Sequence, residues 1–109
     1  MTPAAEQAAL AALRALVTSG RRTFDDLSDL ARAQALGGAS RGDLLGLLHR
    51  AMRDPSLSEL QLDLLGDFAA HLAGQCAVAD LVRLPGDPEE LDALAALVSA
   101  QLAGWCPPP

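Results

Sequence analysis

A chain of 109 residues with eight arginines, no lysine and fourteen acidic residues carries a formal net charge of −6; at that length it holds one hydrophobic core and has no room for a second domain. No run approaches the roughly 18 apolar residues that a membrane span needs, and the start lacks a basic stretch followed by an apolar segment, so a soluble, cytoplasmic protein without membrane contact is expected. Half the residues are apolar, but they are leucine and alanine with few β-branched residues and only Phe24, Phe68 and Trp105 as aromatics, a mixture that predicts an all-α fold and excludes strands.

Thr2 and Pro3 open the first predicted helix, the hydroxyl as a cap and the proline where its missing N–H costs nothing. Ala9, Leu10, Leu13, Leu16 and Val17 form its stripe before Gly20, and so alanine-rich a helix is expected at the periphery. Arg21 and Arg22 follow, where positive charge complements the C-terminal end of a helix dipole. Thr23 and Asp26 have the spacing of a capping box and open a second helix to Leu36, with Phe24, Leu27, Leu30 and Ala31 inward. Gly37-Gly38 breaks the chain, and Ser40 with Asp43 starts a third helix carrying Leu44, Leu45, Leu47, Leu48, Ala51 and Met52 until Asp54-Pro55 ends it.

The strongest signal covers residues 56–73. Ser56 and Glu59 suit a capping box; Leu57, Leu60, Leu64, Leu65, Phe68 and Leu72 share one side, and Glu59, Asp63, Gly66, Asp67 and Ala70 the other. Gly74 supplies a left-handed stop. This helix is expected to be the most buried, with Leu64 and Phe68 at its centre, and Gln61, projecting into the apolar side, needs a hydrogen-bond partner. Residues 76–84 fit a short helix with Val78, Leu81 and Val82 inward, closed by Pro85-Gly86. Asp87, Pro88 and Glu90 then give a cap, a first-turn proline and a third-position carboxylate for a last helix packing through Leu91, Leu94, Leu97, Val98, Leu102 and Trp105. Pro107-Pro108-Pro109 is expected to form a disordered tail after a helical domain of residues 1–106. The short loops predict a compact bundle of five to six short helices, mainly antiparallel.

Catalytic apparatus is not visible. His49 and His71 have no serine or cysteine at a spacing that pairs a nucleophile with a base, and the protein is expected not to be an enzyme. Cys76 and Cys106 are too isolated for a zinc site and are expected as free thiols, a single disulfide being the alternative. Asp25-Asp26 and Glu89-Glu90 suit first helical turns, and Asp63 with Asp67 a solvated face, so neither metal nor cofactor is implied.

Three resemblances bear on function. In helix count and length the chain resembles the six-helix death-fold family of adaptor domains, which implies a protein-interaction module. Over residues 23–72, the second helix, the glycine turn, Ser40-Arg41 opening the third helix and Asp54-Pro55-Ser56-Leu57 resemble phage-repressor-type helix-turn-helix domains. That implies a regulator reading base edges with Arg41, His49 and Arg50. The turn is longer than that family's, and the net negative charge repels phosphate, which disfavours nucleic acid. Residues 43–105 resemble the small four-helix immunity proteins of nuclease bacteriocins. The shared rhythm is two helices, a short one at Asp80-Leu81-Val82 ending in Pro85, and a final helix opened by Pro88-Glu89; it implies a toxin-neutralising inhibitor. Arg83 and Leu84 stand where that family presents paired tyrosines.

Charge is unevenly distributed. Up to Arg53 there are seven arginines against five acids; from Asp54 onward nine acids face Arg83 alone. A protein partner is therefore expected, preferably a basic one, with Asp63, Asp67, Asp80, Glu89, Glu90 and Asp92 as acidic contacts. Arg21, Arg22, Arg50 and Arg53 mark a basic side that suits head-to-tail self-association.

Overall fold

A computed structural model of the protein describes residues 2–19 and 24–107. Among them the chain is an all-α bundle of five helices: α1 (Pro3–Thr18), α2 (Phe24–Leu36), α3 (Arg41–Ala51), α4 (Glu59–Ala73) and α5 (Leu91–Gln101), with a 3-10 turn at Val78–Asp80 and no strand. Gly20, Arg21, Arg22 and Thr23, and with them the expected cap of the second helix, lie outside the described residues, as do Pro108 and Pro109.

α1 starts as its sequence dictates, with Thr2 Oγ1 accepting the Ala5 N–H at 3.1 Å. It is not peripheral. Ala9, Leu10, Leu13 and Val17 are buried in the main core, where α1 packs across α3; a side chain as small as Ala9 lets the two helix axes approach closely. α2 buries Leu27 and Ala31, and the Phe24 ring, half-buried, lies 5.4 Å from Phe68.

The most enclosed helix is α3 rather than α4. Its capping box is formed as expected, Asp43 N–H donating to Ser40 Oγ at 3.0 Å and Ser40 N–H to Asp43 Oδ2 at 2.9 Å. Leu44, Leu45, Leu47, Leu48 and Ala51 are then all buried, since α1, α2 and α4 pack around it. α4 begins two residues later than its pattern suggests. Asp54 Oδ1 takes both the amide and the hydroxyl of Ser56, closing an Asx turn, and Leu57 N–H donates to the Asp54 carbonyl. With Ser56 so used, Ser58 and Gln61 form the capping box instead, and Leu57 is buried immediately ahead of the cap, as in a hydrophobic staple. Gln61, expected to need a partner, also donates its Nε2–H to the Val17 carbonyl at 3.4 Å. Leu65, Phe68, Ala69 and Leu72 face the core, Leu64 is half-buried, and Leu60, assigned to the apolar side, is 70% exposed at the first turn beyond the reach of the bundle. Gly74 ends α4 at φ 84°, the left-handed stop.

After α4 the helix expected at residues 76–84 shrinks to the 3-10 turn, and the chain runs extended from Leu81 (ψ 137°). Val82 is the reason: its N–H donates to the His71 carbonyl and its carbonyl accepts from Arg41, bonds that a helix would have used internally. Asp87 does not cap the last helix. Glu90 occupies the N-cap without a side-chain hydrogen bond, because Asp87 is committed elsewhere. α5 buries Leu94 and Val98 with Leu81 in a second, smaller cluster; Leu97, Leu102 and Trp105 are half-buried, and Leu91 is exposed.

Candidate functional site

Arg41, a candidate base-reading residue by sequence, is 2% exposed. Its Nη2 donates to Asp87 Oδ2 at 2.5 Å, its Nη1 to the carbonyls of Leu72 and Val82 at 2.9 and 3.1 Å, and its Nε to Gln101 Oε1 at 3.0 Å. Asp87 Oδ2 also accepts the Leu84 N–H at 2.8 Å. Burial pulls the Arg41 pKa below its ordinary value, opposed by the charge and hydrogen bond of Asp87; a guanidinium remains protonated regardless. The group fastens the end of α4, the extended segment and α5 to the start of α3, and the Arg41 and Asp87 side chains are both buried within it.

The other described arginines are engaged as well. Arg14 pairs with Asp54 at 3.7 Å, Arg32 with Asp29 at 3.6 Å, and Arg50 with Glu6 across α3 and α1. Arg83 Nη1 donates to the carbonyls of Pro88 and Glu89 at 3.0 and 3.2 Å, and Arg53 also has a partner. Of the four arginines proposed as contacts, Arg50 and Arg53 are thus occupied, while Arg21 and Arg22 lie outside the described residues.

The acidic side chains differ. Asp63 and Asp67 project from the solvent side of α4 beside Glu59; Asp80 sits on the 3-10 turn; Glu89, Glu90 and Asp92 surround the start of α5. All are exposed, and among the described residues none of these carboxylates has an ion pair or a hydrogen bond. The charge left over after internal pairing is negative, spread over α4 and the C-terminal segment.

Both histidines make contacts within the bundle. His71 donates its Nδ1–H to the Asp67 carbonyl at 2.7 Å and meets the Phe24 ring edge-on at 4.9 Å, and the His49 ring lies 5.6 Å from that of Trp105. Cys76 and Cys106 are free thiols; burial and then the Asp80 charge push the Cys76 thiol up. Among the described residues no three His, Cys, Asp or Glu side chains cluster to hold a metal, and no helix is long and apolar enough to cross a membrane. No family model, curated protein or solved structure matches the chain.

Sequence reasoning placed the acidic residues but missed which charges were spent. The clue to Arg41 is its position: an arginine directly after a helix cap, followed by a leucine-rich helix, starts the side of α3 that faces the core. Gly42 and Gly46, which carry no motif in the sequence, lie one turn apart on α3 and border the seat of Trp105.

Proposed function

We propose that this protein is a non-catalytic protein-interaction module, an adaptor or accessory domain whose partner presents a basic surface. The observation that carries it is the asymmetry of pairing: described arginines are held internally, whereas Asp63, Asp67, Asp80, Glu89, Glu90 and Asp92 are exposed and unpaired. Fields from such carboxylates steer a cationic partner and repel phosphate. Self-association through Arg50 or Arg53 would exchange an existing contact for a new one, whereas a foreign basic partner meets these six carboxylates without such an exchange. An inhibitor of a basic toxin belongs to the same reading, since it uses the same acidic surface. A DNA regulator is a separate reading and has less support, since Arg41, one of the three residues expected to read base edges, is buried.

Fluorescence anisotropy with a labelled hexa-arginine peptide tests this. Binding is expected to weaken markedly between about 50 and 500 mM salt, as exposed charges are screened. Replacing Glu89, Glu90 and Asp92 together by Arg should weaken it at low salt without lowering the melting temperature. Affinity unchanged by both manipulations, or retention of duplex DNA in place of the peptide at about 150 mM salt, would overturn the reading.

A further inference from the structure

Near the C-terminus, Trp105 folds back over the start of α3. Its Nε1–H donates to the Gly42 carbonyl at 3.2 Å, and a Cβ built on Gly42 would lie 3.0 Å from the indole Cδ1, so a side chain there would displace the ring. Glycine at 42 is therefore explained by the seat of the indole. Glycine at 46, one turn further along the same helix, is not explained by packing: a Cβ there would meet nothing within 4 Å. Glycine inside a helix is destabilising relative to alanine, and neither close approach nor backbone conformation requires it at 46. What its missing side chain leaves open is a pocket of about 230 Å³, lined by Glu6, Gly42, Asp43, Gly46, Arg50, Trp105 and Cys106.

The lining has a definite chemical character. Two carboxylates, Glu6 and Asp43, stand against one guanidinium, that of Arg50, beside a π surface fixed in place by its own N–H. Asp43 holds the Ser40 N–H through Oδ2, while Arg50 already occupies Glu6. The pocket is thus net negative, carries an indole, and contains a carboxylate whose present partner is itself a cationic side chain on the protein surface. The Arg50–Glu6 pair is partly open to solvent, and such pairs contribute little to stability. A guanidinium or ammonium over the face of an indole is attracted by the ring, more strongly once desolvated.

We propose that this pocket receives one arginine or lysine side chain of the basic partner, with Glu6 and Asp43 meeting its charge, Trp105 packing against it and Gly46 leaving room for its stem. The inference rests on the reading of the protein as a module for a basic partner, and it adds a defined anchor point, separate from the carboxylates on α4 and around the start of α5. Arg50 acts as the competitor: it fills the Glu6 side of the pocket until a partner's cation takes its place.

Trp105 is the chain's one tryptophan, and tyrosine is absent, so intrinsic fluorescence comes from a residue that lines the pocket. Titration with hexa-arginine peptide should give a saturable change in tryptophan emission, and hexa-glutamate should give none. By anisotropy of the labelled peptide, Gly46→Leu, which fills the pocket while replacing a glycine by a better helix former, should weaken binding about threefold or more with the melting temperature held or raised. Glu6→Gln should weaken it and Arg50→Gln should tighten it, opposite signs that a merely structural role for the pair would not produce. Peptide binding that is salt-sensitive yet leaves tryptophan emission and the Gly46→Leu affinity unchanged would overturn the pocket and leave the acidic-surface reading standing. No peptide binding at low salt would overturn both.

Discussion

The first four helices and the C-terminal segment are held by different physics. α1 to α4 share one core, from Ala9 through the leucines of α3 to Leu72, in which burial is distributed over many side chains. From Leu81 onward, Val82 alone among the described residues is buried within that core, with Leu84, Leu102 and Trp105 half-buried against it; Leu81, Leu94 and Val98 form a small cluster of their own, and the segment is also fastened to α3 by Arg41 and by the Trp105 seat on Gly42. A distributed apolar core degrades gradually when one side chain changes, whereas an attachment through one buried charge fails when either partner of the charge is lost.

The largest expected effect tests that attachment. Arg41→Met should cost about 3–5 kcal/mol, because it strands Asp87 in a buried site. Adding Asp87→Leu should recover part of the loss, and only part, since the carbonyls of Leu72 and Val82 and the N–H of Leu84 would still lack their present partners. Denaturant melts give the totals, and amide hydrogen exchange should show α5 losing protection in the single variant well before α3. Next come Leu65→Ala and Phe68→Ala, at about 2–5 kcal/mol each from lost burial and an unfilled cavity, with no preferential loosening of α5. Losses below about 0.5 kcal/mol for both would remove α4 from the core.

Smaller effects sharpen the entry to α4. Ser58→Ala should cost about 1 kcal/mol as a lost N-cap, and more than Ser56→Ala, whose hydroxyl serves a surface turn. The Ser56 hydroxyl and amide, with Arg14 as a lesser contributor, hold the Asp54 carboxyl below its ordinary 3.8. A depressed carboxylate stabilises the fold above its unfolded-state value and loses that contribution as pH falls through the lower, folded-state one. Asp54→Asn should therefore flatten the part of the stability profile that begins at about pH 4 and descends into acid. Smallest of all is the contrast between the thiols: maleimide should label exposed Cys106 faster than half-buried Cys76 near neutral pH.

Legibility follows the same division. The stripes of α1 to α4, the Ser40 capping box and the Gly74 stop repeat at helical spacing, and local periodicity is what a sequence displays. The start of α4 was displaced because two serines each stood three residues before a residue able to complete a box, and only the Asx turn at Asp54 decides between them. The segment after Gly74 is not legible because its conformation is set by Arg41, 41 residues away from Val82 in sequence, and Asp87 is drawn out of a capping role by the same arginine, 46 residues away. Of the candidate site, the acidic residues were legible as an imbalance in composition; the internal pairing of the arginines, which turns that imbalance into an exposed negative surface, depends on tertiary neighbours.

Amide chemical-shift mapping of the labelled protein with unlabelled hexa-arginine peptide locates the surface that a basic partner meets. Perturbations should concentrate at Asp63, Asp67, Asp80, Glu89, Glu90 and Asp92, together with the Trp105 indole N–H, and fade as salt is raised to about 500 mM. Perturbations centred instead on the exposed end of α2 at Leu36 and persisting at high salt, or none at all, would contradict the proposal of a basic partner.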